Sequence, residues 1–283
     1  MTSKWIAAVA VVLLALSSTA SAQAPCSLRT VVGTYAVQTG GLAATGSVID
    51  SALGPAYALH GGAAVLVGQV TIAADGTATG TWWGVYVAMP VSLPFAGQVT
   101  INPDCSGEYT DGDGTNKLIV LDEGKEIRAI KWEGFGSSVS TWYRITRAGD
   151  VAPRCSLHTL RGTYMERCQG FSVDEGLGVA THNLLFLWTA KDGSLTGRYE
   201  GKTFGFPDTL AESAISGTYS VADDCTVDID YSFEVMPGVT VKARGVLFDE
   251  GKRGIGLPLG VYFGDTMVAP MAPLTCELTR TVR

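Results

Sequence analysis

Histidine is the side chain best suited to proton transfer and zinc binding near neutral pH, and it occurs only three times, at His60, His158 and His182. No two of these lie at a spacing typical of zinc ligands, and the sequence contains no Gly-x-Ser-x-Gly nucleophile motif and no phosphate-binding loop. The sequence therefore predicts no metal site and no cofactor, and it leaves the catalytic residues unknown.

Aromatic side chains are the stronger chemical signal. Six of them fall on predicted strands that would line a barrel interior, where rings can fill a core or contact one small ligand. These six are the candidate ligand-binding residues: Trp82, Tyr86 and Phe95 in the first half of the chain, and Phe186, Trp188 and Tyr199 in the second half.

The same pattern leaves room for an enzyme of the cyclase or isomerase type. Such an enzyme shapes a reactive substrate in an apolar pocket and needs only a few assisting groups, so it requires no strong sequence motif. The candidates for that role are Tyr86, Glu200 and His182.

The elements that position these residues occur twice along the chain. Residues 26–35 and 155–164 both begin with Cys-Ser-Leu and end with Gly-Thr-Tyr, and Asp-Glu-Gly-Lys at 122–125 recurs at 249–252. A tandem duplication explains both repeats. We expect a signal peptide at 1–22 and two related modules, at 23–150 and 151–283.

Each module is predicted to contain about eight short strands. The Asp-Gly pairs at 75–76 and 192–193 are strong hairpin signals. Low charge (17%), abundant glycine (35 residues) and many Val, Thr and Tyr residues favour sheet joined by tight turns over helix. Many short antiparallel strands call for closed barrels, which leave no exposed edge, or for sandwiches. The predicted fold is all-β, with two tandem antiparallel β-barrels of about eight strands each and β-sandwiches as the alternative.

Six cysteines in an exported chain predict disulfides, because the compartment is oxidising. Matching places in the two modules should form matching bonds, which gives the pairs Cys26–Cys105 and Cys155–Cys225. Cys168 and Cys276 are left, on the first and last strands of the second module. Those strands are neighbours only if the sheet closes, so a bond between them would hold the seam of a barrel.

The Gly-Thr-Tyr on each first strand, together with an arginine late in the last strand, resembles the calycin and lipocalin arrangement. In that family Gly-x-Trp packs beside a basic residue at the closed end of the barrel, and here Tyr replaces Trp. The matching residues are 33–35 with Arg147 and 162–164 with Arg280. The resemblance implies a barrel with an apolar interior and implies no particular ligand.

One predicted strand of the first module is apolar on its outer side. Trp83, Val85 and Val87 stand where the second module has Glu200, Lys202 and Phe204. This apolar strip predicts that the outer face is covered, either by the second module or by a second molecule through self-association.

The first 22 residues describe a secretory signal peptide, with Lys4, an apolar run and Ala-Ser-Ala at 20–22. The mature chain is expected to begin at Gln23 and to be secreted or periplasmic, without a membrane span. Removing Lys4 from the 20 basic residues leaves 19 against 27 acidic ones, a net charge of −8. Such a charge repels phosphate backbones, so nucleic acid is not an expected partner.

These observations lead to three hypotheses. The first is an exported non-enzymatic β-barrel protein that binds a small apolar or amphipathic ligand, because the predicted interior is aromatic and carries no catalytic motif. The second is the cyclase- or isomerase-type enzyme described above. The third is a cell-envelope or adhesion module, in which two copies increase avidity.

Overall fold

The computed structural model describes residues 25–43, 62–86, 89–112, 114–134, 137–150, 154–174, 178–204, 209–270 and 274–282. The expected signal peptide, His60 and Val87 lie outside these residues, and so does the side chain of Tyr86. In the described part of the chain, no helix has the length and apolar character needed to cross a membrane.

The first barrel is a closed antiparallel sheet. The short helix α1 (Leu28–Val31) precedes eight strands: β1 (Gly33–Ala43), β2 (Gly62–Ile72), β3 (Thr77–Tyr86), β4 (Met89–Ile101), β5 (Ser106–Asp111), β6 (Gly114–Leu121), β7 (Glu126–Gly134) and β8 (Ser137–Arg147). Each strand pairs with the next, and β8 returns to pair with β1. The opening motif was expected to lead directly into a strand, but in this barrel it forms α1 first.

The second barrel repeats this topology and adds one strand. Its strands are β9 (Gly162–Asp174), β10 (Gly178–Lys191), β11 (Ser194–Phe204), β12 (Thr209–Val221), β13 (Thr226–Phe233), β14 (Val239–Phe248), β15 (Arg253–Phe263), β16 (Thr266–Pro270) and β17 (Leu274–Val282). Pairing of β14 with β15 and of β17 with β9 closes the sheet, and β16 pairs with β15 outside the ring. The prediction of two tandem eight-stranded barrels is confirmed, whereas β16 was not predicted.

One end of each barrel is closed by a tyrosine and an arginine. In the first barrel Tyr35 donates its hydroxyl proton to the carbonyl of Gly124 at 3.0 Å, and Arg144 Nη2 donates to Tyr35 Oη at 2.8 Å. Arg144 also donates to the carbonyls of Thr30 and Glu123. These bonds tie α1, β1, β8 and the turn after β6 together, which satisfies carbonyls that would otherwise be unpaired at the barrel end.

The second barrel has the same arrangement, with Tyr164 donating to Gly251 O at 3.0 Å and Arg280 Nη2 donating to Tyr164 Oη at 2.7 Å. The expected partner of Tyr35 was Arg147, and that prediction was wrong by three residues. Arg144 is the residue that matches Arg280, because alternation along β8 points Trp142 and Arg144 inward. We refer to this end as the closed end of each barrel and to the opposite end as its mouth.

All three predicted disulfides are present. Two tie the opening motif of each barrel to the strand turn that follows the fourth strand: Cys26–Cys105 and Cys155–Cys225. The third, Cys168–Cys276, joins residues directly opposite each other on β9 and β17. It therefore lies on the strand pair that completes the ring, as the argument from closure predicted.

The outer faces of the two barrels pack against each other. Strands β1, β2, β3 and β8 contribute one side and β14 and β15 contribute the other, and together they bury one apolar cluster: Ala36, Val65, Val67, Val85 and Tyr143 from the first barrel, with Val246, Phe248, Ile255 and Leu257 from the second. The rings of Tyr143 and Phe248 are stacked 4.7 Å apart, with Arg253 over both.

This interface covers the apolar strip identified in the sequence. Val85 is 1% exposed and belongs to the shared cluster, and Trp83 packs against the cluster with Arg244 of the second barrel over its ring. Of the two occupants predicted for this face, the structure shows the second barrel. Trp83 and Val85 are thus already covered within one chain.

The substitution Val85→Lys should separate the barrels. It introduces the residue that the second barrel carries at the matching place, Lys202, and leaves an uncompensated charge at a buried interface. We expect the free energy of unfolding to fall by about 3 kcal/mol or more. Urea unfolding followed by fluorescence measures the change.

The control is Leu185→Lys, on the exposed outer face of β10, where we expect a change within about 0.5 kcal/mol. Equal stability of Val85→Lys and the unsubstituted protein would show that the interface contributes little to stability.

Candidate functional site

The interior of the first barrel is filled by aromatic rings near its closed end. Phe95 stacks on Tyr109 at 4.8 Å between centroids and meets Trp82 edge-on at 5.1 Å, while Trp142 contacts Phe95 and Tyr109. Two of the candidate ligand-binding residues, Trp82 and Phe95, therefore face the interior as predicted, and they form part of the packed core.

In the second barrel four rings form a closed circuit across the interior. Phe186 contacts Tyr199 at 5.1 Å, Tyr199 contacts Phe233 at 5.1 Å, Phe233 contacts Tyr231 at 5.5 Å, and Tyr231 returns to Phe186 at 5.7 Å. Phe186 is buried, whereas the other three keep partial exposure although they point inward. Three rings of this four-ring cluster thus keep accessible surface although they face the barrel interior.

Trp188 lies below the four-ring cluster, towards the closed end. Its ring stacks on Tyr164 at 5.0 Å, and its indole Nε1 donates to Glu166 Oε2 at 2.9 Å. Trp188 is therefore a buried residue that holds a carboxyl group, and the ligand contact expected for it stays a prediction.

Glu166 is the acid on the interior face of β9. Its other carboxyl oxygen, Oε1, lies 3.8 Å from Sγ of Cys168. A disulfide sulfur carries no proton, so this contact does not supply a donor to the carboxylate. In the first barrel, Val37 occupies the place of Glu166, one step along the inward face from Tyr35.

The surroundings of Glu166 disfavour its charged form. Burial raises the pKa of Glu166 from 4.5 to about 7, and the hydrogen bond from Trp188 offsets only part of that effect. A carboxyl group with this pKa is divided between its neutral and ionised forms near neutral pH. Such a group can donate or accept a proton without a large change in pH.

A small cavity lies beside this carboxyl group. Its volume is about 20 Å³, enough for one water molecule, and its lining includes Glu166, Trp188 and Cys276. The wall residues are smaller than their counterparts in the first barrel: Gly245 replaces Leu118, Gly254 replaces Ile127, Gly256 replaces Ala129, and Leu278 replaces Trp142. The space that Glu166 occupies therefore comes from side chains that the second barrel has lost.

Burial also shifts three further titratable groups in this barrel towards their neutral forms. Burial raises the pKa of Tyr199 and raises that of Tyr231 well above its ordinary value, with the charge of Glu166 adding to the effect on Tyr231. Burial lowers the pKa of His182, which shares the inward face of β10 with Phe186. The interior of the second barrel therefore favours uncharged groups.

Of the candidates for catalysis, Glu200 is outside the barrel. It lies on the outer face of β11, exposed, with its carboxylate 3.7 Å from Arg198 Nε. Glu200 shares this exposed outer face with Lys202. Its candidacy as a pocket acid was therefore wrong, because a strand side chain of this parity cannot reach the interior.

Across the described residues, one cluster contains three side chains of metal-ligating types: Glu166, Cys168 and Cys276. The disulfide occupies both sulfur atoms, and metals bind the thiolate form of cysteine. The oxidised chain therefore offers only one free ligand at this place, the Glu166 carboxylate.

Glu166 was not among the predicted site residues, although the sequence contains a signal for it. Tyr164 was expected at the closed end and Cys168 at the seam, both on this strand, and side chains two residues apart on a strand share a face. Glu166 lies between them in that alternation and must also point inward. The inward orientation of Glu166 is hard to recognise in the sequence because its neighbours Met165 and Arg167 are exposed. A Met-Glu-Arg run is typical of a solvent-facing segment.

No family model matches this chain, and no curated protein matches it in sequence. Among solved structures, it is similar to a protein of unknown function from the DUF3598 family of Nostoc punctiforme, with 8% identity and a TM-score of 0.26 over 90% of this chain and 98% of that one. It is also similar to isotype 1 transferrin binding protein B from serogroup B Neisseria meningitidis, with 10% identity and a TM-score of 0.25 over 92% of this chain and 79% of that one.

Proposed function

We propose that this chain is an exported, non-catalytic β-barrel protein that binds a small, uncharged, mainly apolar molecule in the mouth half of its second barrel. The observation that carries the proposal is the state of the inward-facing rings there. Tyr199, Tyr231 and Phe233 point into a closed barrel and yet keep part of their surface accessible. Partly accessible rings around an enclosed space are the usual lining of a small-molecule site.

The electrostatics define the class of ligand. Burial shifts the pKa of each of four interior groups in the direction that favours its neutral form: Glu166, Tyr199, Tyr231 and His182. The same surroundings would disfavour a charged ligand, because moving an ion out of water is costly without a partner of opposite charge. An uncharged molecule with apolar surface and one or two hydrogen-bonding groups fits best.

The ligand would rest on the mouth side of the four-ring cluster. Its apolar part would contact the rings, and a polar group could bond the hydroxyls of Tyr199 and Tyr231, which as neutral phenols both donate and accept. Glu166 lies opposite Phe186 in the strand register, and the 20 Å³ cavity beside its carboxyl group is too confined for more than one water molecule. Three disulfides support the assignment to an oxidising compartment outside the cytoplasm.

A matched pair of substitutions tests where the ligand binds. Tyr199→Ala should weaken binding of the neutral fluorophore N-phenyl-1-naphthylamine about 10-fold, because a large ring surface is lost at the site. Titration of the mature protein with the fluorophore measures this effect. Organic extraction of the purified protein followed by mass spectrometry then identifies a natural ligand.

The control is Trp82→Ala, at the matching place in the first barrel, which should leave the affinity unchanged. Near-ultraviolet circular dichroism verifies that both variants are folded. Weaker binding in Trp82→Ala alone would place the ligand in the first barrel, and no binding by the unsubstituted protein would contradict the proposal.

A second candidate, the cyclase- or isomerase-type enzyme, is favoured by one observation, the pKa of about 7 at Glu166. A general acid or base acts best when its pKa is near the working pH. Conversion of an extracted ligand that Glu166→Gln abolishes, with binding of the compound retained, would favour this candidate over simple binding.

A further inference from the structure

The interface between the two barrels is not symmetric. The second barrel contributes the outer face of β14 and β15, which we call the docking face, and the first barrel contributes the outer face of β1, β2, β3 and β8, which we call the receiving face. Because the barrels are copies of one module, each has both faces. Two of these four faces are therefore used within the chain, and two are left free.

The free docking face belongs to the first barrel and is apolar. When the two barrels are aligned by strand register, each residue of this face corresponds to an interface residue of the second barrel. A β-bulge occurs at the same place in both sheets. The matches are Ile119 with Val246, Leu121 with Phe248, Arg128 with Ile255, Ile130 with Leu257, and Trp132 with Leu259. Four of the five positions keep a large apolar side chain.

These side chains are exposed, in contrast to their counterparts. Trp132 is 66% exposed, Ile119 58% and Ile130 50%, whereas Val246 and Leu257 are buried at 0% and 1%. Val139, directly opposite Ile130 on β8, is 57% exposed and extends the patch. Adjacent exposed apolar residues of this kind on neighbouring strands mark an interaction surface.

The free receiving face, on the second barrel, has become polar. Where the first barrel has Val65, Trp83 and Val85 at the interface, the second has Asn183, Glu200 and Lys202, all exposed. Met165, Leu185 and Leu187 are the apolar residues that it keeps. Charged residues at these places oppose head-to-tail joining of one chain to the next, which would produce open filaments unless the ring closed.

The basic residues Arg128 and Lys117 on the free docking face are each paired with an acidic residue of the same barrel. Arg128 pairs with Glu126, and Lys117, opposite Ile130, pairs with Glu108. A second copy of the same face would therefore meet no excess of like charge. A two-fold axis that brings a surface against itself is the commonest symmetry of protein dimers.

We propose that two copies of this chain associate through the free docking face on β6 and β7 of their first barrels, extended by Val139, with Trp132 and Ile130 at the centre of a two-fold interface. The proposal goes beyond ligand binding and does not depend on it, because the face lies on the outside of the other barrel. It also moves the self-association expected from the sequence to a different face, since Trp83 and Val85 are covered within the chain.

Analytical ultracentrifugation of the mature protein over the micromolar range tests the proposal. The unsubstituted chain should sediment as a dimer that dissociates on dilution, and Trp132→Lys should raise the dissociation constant at least about 30-fold, the effect typical of an interface hot spot. Trp132 is exposed in the single chain, so the substitution should leave the fold intact, as the melting temperature verifies.

Leu187→Lys on the free receiving face is the matched control and should leave association unchanged. A monomer at every concentration would overturn the proposal. So would open-ended growth, or association that Leu187→Lys abolishes and Trp132→Lys does not, because either result would indicate head-to-tail contact. Binding of N-phenyl-1-naphthylamine should be equal in both variants, which separates this test from that of the proposed function.

Discussion

Replacing the Cys168–Cys276 disulfide with the pair found in the first barrel, Cys168→Thr with Cys276→Ser, should lower the free energy of unfolding by about 4 kcal/mol. The bond closes a loop with a sequence separation of 108, and in the chain-entropy model a cross-link of that length strongly restricts the unfolded state. Urea unfolding of the mature protein under non-reducing conditions measures the change.

The first barrel shows why this exchange is well matched. Thr39 and Ser140 lie directly opposite each other on β1 and β8, at the places of Cys168 and Cys276, and their hydroxyls are hydrogen-bonded. The substituted pair should therefore keep the geometry of the seam while contributing only about 1 kcal/mol. Thr39→Ala serves as the control for loss of such a hydrogen bond. A loss of less than about 1 kcal/mol in the double variant would show that strand pairing alone holds the seam.

The second large effect concerns pH. The folded protein holds the proton on Glu166 up to about pH 7, whereas the unfolded chain releases it near pH 4.5. The stabilisation that neutral Glu166 contributes to the fold is therefore fully present below about pH 4.5, and it is lost as the pH rises through about 7. The difference between these two pKa values corresponds to at most about 3 kcal/mol of folding free energy. The effect is smaller where water in the cavity solvates the carboxylate.

Glu166→Gln removes this dependence, because an amide keeps an oxygen for the Trp188 N–H and does not ionise. We expect the variant to match the unsubstituted protein near pH 5 and to be more stable by about 2–3 kcal/mol at pH 8. Thermal unfolding across this range measures the difference.

Glu277→Gln is the control, since Glu277 is half exposed on the outer face of β17 and pairs with Arg167. Parallel pH profiles for Glu166→Gln and the unsubstituted protein would mean that Glu166 is ionised in the folded state at neutral pH. The candidate acid–base role of this residue would then lose its support.

The cysteines and turns illustrate what could be predicted without coordinates. Residues at matching places in a duplication have matching surroundings, so one repeat constrains the other, and the pairs Cys26–Cys105 and Cys155–Cys225 follow from that comparison. The bond between Cys168 and Cys276 required one further step, that first and last strands meet only in a closed sheet.

Arg144 illustrates the opposite case. The sequence offers a Thr-Arg pair at 146–147 that looks like the one at 279–280, and local similarity selected Arg147. The side chain that reaches Tyr35 is Arg144, because register relative to β1 decides which residues of β8 point inward. Register depends on pairing between distant segments, which a short motif does not contain.

The sequence by itself determined the all-β class, the duplication into two modules of about eight strands and the disulfide pairs, since these depend on local alternation, turn residues and the equivalence of repeats. Only the tertiary structure decided which outer faces are covered and which stay free, and that Glu166 occupies space left by glycines on β14 and β15. The physical reason is that burial is a property of pairs of surfaces. An apolar strand face has the same sequence pattern whether another barrel covers it, as at Val85, or leaves it open, as at Trp132.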